Sequence, residues 1–223
     1  LAKKKLREID SNFNNEMTDE GAWVSNLSNT EILNLLSEVV KQVSEEFGFQ
    51  IRLGLDIAAS SFWDGKNYVY KNFSKDKKNK KLTKKEQIEF ISELIEKYNL
   101  LYVEDALHEE DFSGFAELTK KFKDKTMITG DDLTVTNLSR LKKAIKEKSI
   151  NAAIVKPNQI GSLIEMKKFV DELNKNKYYS IISHRSGETL DASISHLAVG
   201  LEIPMIKCGI YGKERISKLN ELR

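Results

Sequence analysis

In chain order the sequence offers Asp56, Glu104, Asp131, Lys156, His184 with Arg185, and Lys207, each at the end of a short apolar run. Three carboxylates are followed by three basic positions. Carboxylates on neighbouring strands can converge on a hard divalent cation, and magnesium in particular prefers oxygen ligands and keeps positions open for water and substrate. A lysine at the end of an apolar strand is costly to bury charged, and desolvation together with nearby cations favours the neutral amine that serves as a general base. Arg185 has the planar fork that grips a phosphate. Lys207 is a point charge suited to a carboxylate or phosphate. Any one of these groups also has a plainer reading: an ion pair on a rim, or a helix cap for an aspartate in a strand-to-helix loop. The ordered set points to one pocket.

The elements that must position this set follow from periodicity. In residues 128–137, ITGDDLTVTN, an apolar approach runs into Gly130, then Asp131 and Asp132, then a Thr/Asn-rich segment able to cap a helix. A buried parallel strand delivers an acidic residue to the carboxyl edge of a sheet in this way. Strands are expected at 51–57, 100–105, 126–131, 152–156, 178–183 and 205–208. Helices are expected at 32–47, from the Thr83/Glu86 capping box through Ile95, and at 112–122, 138–145, 160–173, 192–199 and 214–222. Ser28 and Glu31 form another capping box. Residues 62–73 read as a surface excursion with a hairpin around Asp64-Gly65, and the lysine-rich run 75–85 as a solvated loop. The strand, loop, helix unit repeats six times, which implies a parallel sheet with right-handed crossovers. An open doubly wound sheet and a (β/α) barrel both fit. The glycine fingerprint of the open dinucleotide folds is absent and polar residues close every strand, which favours the barrel.

Bulk composition narrows the partners. The chain has 223 residues, 40% of them hydrophobic, enough for one sizeable core. Its 36 basic and 34 acidic residues nearly cancel, to a net charge of +2, unlike a dedicated nucleic-acid binder with a concentrated basic face. No apolar run is long enough to span a membrane, and no signal peptide is visible. The single cysteine, Cys208, excludes an intrachain disulfide and fits a reducing compartment. LAKKKLREI at the start reads as the tail of an amphipathic helix, and the expectation is that Leu1 lies partway through a longer chain.

Several stretches together resemble the enolases: GLDIAAS at 54–60, VED at 103–105, GDDLTVTN at 130–137, KPNQIGS at 156–162, SHRSGET at 183–189, IKCG at 206–209 and KERISKLNEL at 213–222. The resemblance runs from Asp19 onward in the family's order and near its spacing. It implies a (β/α) barrel of the TIM type, preceded in whole members of the family by an α+β domain and the first barrel strands. It implies a magnesium-dependent lyase that interconverts 2-phosphoglycerate and phosphoenolpyruvate in glycolysis and gluconeogenesis, cytoplasmic, and a homodimer in its full-length form. By resemblance, Asp56, Glu104 and Asp131 hold the tighter metal, and Lys156 takes the proton from carbon 2. His184 lies near the departing hydroxyl, Arg185 and Ser186 contact the phosphate side, and Lys207 lies near the carboxylate. Glu104 and Asp131 also face the substrate. Glu20, in TDEGA at 18–22, stands where the family places a glutamate that assists loss of hydroxide.

Departures cluster around that glutamate. Thr18 stands where glycine is usual. Ala22, Trp23, Val24 and Ser25 replace a Gly-Phe-Ala-Pro run, and Ala106 follows VED where proline is usual. They bear on dehydration more than on metal binding. Two alternatives stay open at this point. One is another magnesium-dependent proton abstractor of the superfamily, disfavoured by SHRSGET. The other is a non-catalytic enolase-like binding protein.

Overall fold

The computed structural model describes residues 1–18, 20–73 and 79–223. A first helix, α1 (Ala2–Ile9), leads through an irregular stretch to α2 (Asn29–Phe47). Ser28 caps α2 and Glu31 reaches back, so both reciprocal bonds of the capping box form, and Gly48 closes the helix in the left-handed region at φ 69°. Then come β1 (Gly54–Asp56), a short hairpin of β2 (Tyr68–Tyr70) and β3 (Lys80–Leu82), and α3 (Lys84–Tyr98), opened by the Thr83/Glu86 capping box.

From there strand and helix alternate: β4 (Tyr102–Glu104), α4 (Phe112–Phe122), β5 (Met127–Gly130), α5 (Leu138–Glu147) and β6 (Ala152–Val155). A single-turn α6 (Pro157–Ile160) and α7 (Leu163–Lys175) precede β7 (Tyr179–Ser183), α8 (Ser193–Gly200), β8 (Met205–Lys207) and α9 (Lys213–Leu222).

Six strands form one parallel sheet in the order β1-β4-β5-β6-β7-β8. The sheet curls, as a barrel requires, with β1 and β8 at its edges. Residues alternate between its faces. On the inner face Met127, Ala152, Ile154 and Ile181 pack together with Tyr102 and Met205. On the outer face Val103, Ile128, Ala153, Val155 and Ile182 meet the helices in a larger core that includes Phe115, Leu118, Leu141, Met166 and Phe169. Filling a barrel interior with side chains leaves the carboxyl ends of the strands as the place for chemistry.

Three expectations need correction. Residues 62–73 are no surface excursion. Asp64-Gly65 does form a tight turn, closed by a Trp63–Tyr68 bridge, but β2 then pairs antiparallel with β3. Tyr68 and Tyr70 are buried; Tyr70 stacks on Phe62 at 4.7 Å and meets Phe90 edge-on at 5.8 Å. Gln87 Nε2 donates to the Tyr70 hydroxyl at 2.8 Å and to the Ala106 carbonyl at 3.0 Å. The lysine run is likewise no uniform loop. Lys80 and Lys81 are on β3, and Lys84 and Lys85 open α3, whereas positions 75–78 lie outside the described residues. The helix expected at 160–173 is split, because Gly161 adopts φ 73° and Ser162 starts α7 with a cap onto Glu165 N–H.

Among the described residues, no helix is long and apolar enough to cross a membrane.

Candidate active site

The strand ends gather at one mouth. Parallel register sets Asp56 beside Glu104 and Ser183 beside Lys207. A cavity of about 230 Å³ opens there, lined by Glu20, Asp56, Asp132, Lys156, His184, Arg185, Ser186 and Lys207. Glu104 and Asp131 lie nearly sealed at the strand ends, 0% and 6% exposed. A larger concavity, about 540 Å³, opens at the opposite end of the strands around Arg52, Lys125 and Met205. Of the sequence-predicted site residues, all but the buried Glu104 and Asp131 line the first, and those two pair with its Lys207 and Lys156.

The lysines bind the carboxylates together. Lys207 Nζ donates to Glu104 Oε2 at 2.7 Å and to Asp56 Oδ2 at 2.9 Å. Lys156 Nζ donates to Asp131 Oδ2, and the Tyr102 hydroxyl donates to Glu104 Oε2. Burial alone would lower the Lys207 ammonium, but the Glu104 and Asp56 carboxylates outweigh it and hold the group charged. Burial raises Glu104 above the usual carboxylate range, while Lys207 pulls it back down.

Sequence reasoning places Asp105 only at the tail of a strand. In the structure it joins Glu104 and Asp131 in a group whose ligand atoms lie within 4.8 Å of one another. Asp56 stands apart from that group, linked through Lys207. Asp105 takes φ 43° and turns both its oxygens onto the next strand end. Oδ1 accepts from Asp131 N–H at 3.1 Å and Oδ2 from Asp132 N–H at 2.9 Å. It therefore fixes the loop that carries Asp131. Burial pushes its carboxyl up to about 8, against those two donors, which favour the ionised form. The signal that could have found it is the second acid of VED, one residue beyond the sheet.

The loop after β5 is built tightly around this group. A Cβ on Gly130 would come within 3.2 Å of Leu133 Cβ. Asp131 carbonyl accepts from Val135 N–H at 2.7 Å, and Asn137 caps α5 through Ser139 and Arg140 N–H, as the Thr/Asn-rich segment predicts. Thr136 Oγ1 accepts from Lys156 N–H at 3.0 Å, tying the β6 end to the same loop.

The SHRSGET loop forms the other wall. His184 Nδ1 lies 3.0 Å from the Arg185 carbonyl, an acceptor only, so this ring nitrogen is the donor. Arg185 and Ser186 are exposed to the cavity. Ser186 Oγ donates to Glu20 Oε1 at 3.3 Å, so the most distant predicted residue reaches the site too. Lys218 on α9, fully buried, holds the far end of this loop through the Thr189 carbonyl and Glu188, the latter at 3.3 Å.

The group can hold a cation. Among the described residues, Glu104 Oε1 and Asp131 Oδ1 are buried without a hydrogen-bond partner. Orphaned, buried carboxylate oxygens beside the lysines of a polar cavity fit a hard divalent ion.

Comparison with known proteins agrees with this layout. The family model described as "Enolase, C-terminal TIM barrel domain" matches residues 2–223. An enolase of Archaeoglobus fulgidus is 47% identical over 204 residues, 92% of this chain and 49% of that protein. The enolase of Pyrobaculum aerophilum is 45% identical over 219 residues, covering 98% and 51%. That of Methanothermobacter thermautotrophicus is 46% identical over 227 residues, covering 98% and 53%. The chain spans about half the length of the curated relatives it matches.

Proposed function

This chain belongs to the enolase family, in its C-terminal barrel domain, and on that premise we propose that it carries the catalytic face of a magnesium-dependent lyase that reversibly dehydrates 2-phosphoglycerate to phosphoenolpyruvate. The observation that carries the reading is the meeting of Glu20, Lys156, His184, Arg185, Ser186 and Lys207 around one cavity, with the buried Asp131 and Glu104 paired to its two lysines. The same reading makes the whole protein a cytoplasmic, homodimeric enzyme of glycolysis and gluconeogenesis.

Asp56, Glu104 and Asp131 would hold magnesium, with Asp105 fixing the backbone of Asp131. When bound, magnesium supplies positive charge against the negative charge that builds on the substrate carboxylate as the carbon-2 proton leaves. A lysine base working beside magnesium is the established pattern of this superfamily. Arg185 and Ser186 bind the phosphate, Arg185 through a forked, charge-assisted contact. Lys207 orients the substrate carboxylate. In the dehydrating direction the Lys156 amine takes the proton from carbon 2. The carbon 3–oxygen bond breaks as the carbon 2–carbon 3 double bond forms. The Glu20 carboxyl gives its proton to the departing hydroxide, which leaves as water, with His184 beside it.

The test is formation of the enol product from 2-phosphoglycerate by the full-length natural protein, followed by absorbance with and without magnesium. Magnesium-dependent turnover supports the reading. Magnesium binding without turnover would replace it with the non-catalytic one.

A further inference from the structure

Glu20 stands at the tip of a narrow hairpin. The arms meet in an antiparallel bridge between Met17 and Trp23, with Val24 N–H donating to the Glu16 carbonyl and Thr18 N–H to the Ala22 carbonyl, both at 2.9 Å. Thr18, Glu20 and Ala22 are exposed. The Ser186–Glu20 bond of 3.3 Å is longer than a typical hydroxyl hydrogen bond. It does not by itself fix a carboxyl group.

The hairpin is docked from its base. The Trp23 indole lies against Tyr211, centroids 5.8 Å apart, and edge-on to Phe13 at 5.9 Å, with Lys3 Nζ 4.6 Å from its ring. Tyr211 sits in the loop between β8 and α9, four residues beyond Lys207. Its carbonyl also approaches the hairpin closely: a Cβ on Gly21, which has φ 76°, would lie 3.4 Å from it. A ring contact and a backbone contact thus seat the Glu20 hairpin on the loop that follows the last strand. Lys156 has no such dependence. It ends β6, and its backbone is held by Thr136.

We propose that Trp23, seated on Tyr211, is a positioning residue for Glu20, serving loss of hydroxide and not removal of the carbon-2 proton. The inference rests on the reading of Glu20 as the acid of the dehydration step. A displacement of about 1 Å in a catalytic group lowers a rate by about 10²-fold, and a hairpin released from Tyr211 would move Glu20 while leaving the strand-end groups in place.

The experiment measures two rates on the full-length protein with 2-phosphoglycerate: exchange of the carbon-2 hydrogen with deuterated solvent, and formation of the enol product. Trp23→Ala lowers product formation by about 10²-fold and leaves exchange at the parent rate. Tyr211→Ala does the same, and Trp23→Phe restores product formation. A parallel fall of both rates in Trp23→Ala, or no fall in either, would overturn the proposal. If Trp23→Ala yields no folded protein, Tyr211→Ala decides, since Tyr211 is 54% exposed. A parent protein with neither exchange nor product would remove the underlying reading as well. A normally active parent matched by Trp23→Ala would remove this inference alone.

Discussion

Lys207 and Asp56 lie 151 residues apart in sequence, on the two edge strands of the sheet, and their side chains meet at 2.9 Å. The curl of the sheet brings them together, and the same amine reaches Glu104 on the strand beside Asp56. Lys207 therefore offsets two carboxylates at once. Replacing it by methionine leaves the buried Glu104 short of its charged partner, which costs about 1–3 kcal/mol. Thermal unfolding of the full-length protein should show Lys207→Met less stable than the parent without magnesium, with the gap narrowed by saturating magnesium. An unchanged midpoint in the absence of magnesium would show that the pair contributes nothing to stability.

Asp105 supports the proposed metal site from behind by accepting the N–H groups of Asp131 and Asp132. Groups that orient ligands typically affect metal affinity by about 10–100-fold. Asp105→Ala is expected to weaken magnesium binding by that factor in a calorimetric titration. Parent affinity in this variant would mean that the Asp131 loop holds its shape without Asp105.

Much of this is legible in the sequence, for identifiable reasons. The Ser28/Glu31 and Thr83/Glu86 boxes are local signals, and both form with both reciprocal bonds. Strand ends are visible because each apolar run stops at a polar residue, and parallel topology then requires those ends to share one face. What escapes depends on tertiary context. Tyr68 and Tyr70 are masked by a turn sequence before them and lysines after them, although their alternation is that of a strand with one buried face. The break between α6 and α7 is signalled by Pro157, Gly161 and the Ser162/Glu165 spacing, but the apolar periodicity runs across it. Asp105 looks redundant beside Glu104, since nothing local shows that its oxygens bond to a neighbouring strand's loop. The Trp23–Tyr211 contact joins segments nearly the whole chain apart.

Alkaline pH should expose the buried hairpin. Burial pushes the Tyr70 phenol up to about 12, against the bond from Gln87. The unfolded chain releases this proton near pH 10 and the folded chain does so later, so the contribution is fully present below about pH 10 and is lost as pH rises toward 12. The slope for one proton is about 1.4 kcal/mol per pH unit. Urea midpoints of Tyr70→Phe, measured from pH 9 to 12, should fall less steeply than those of the parent. Equal slopes would place the linkage on other groups.

Glu20 meets the SHRSGET loop through the Ser186 hydroxyl, and the proposed mechanism gives it a part in only one of the two chemical steps. Glu20→Gln keeps the hydrogen-bonding shape and removes the acid. It should retain carbon-2 exchange while losing about 10²–10⁴-fold in product formation. Equal loss of both rates would assign Glu20 to binding rather than to hydroxide departure.

In the proposed mechanism the β6 strand end supplies the base, and the other proposed roles are arranged around that one. Lys156 is held by Asp131 and by the Thr136 hydroxyl beneath its backbone, at the polar end of a buried strand rather than in the apolar core. Lys156→Ala should therefore fold and still bind magnesium through the carboxylates. The most direct measurement is exchange of the carbon-2 hydrogen of 2-phosphoglycerate with deuterated solvent, which reports proton removal even when hydroxide loss is blocked. Proton removal by Lys156 predicts a fall of about 10²–10⁴-fold in this exchange, with magnesium binding retained by calorimetry. Exchange at the parent rate in Lys156→Ala would contradict it.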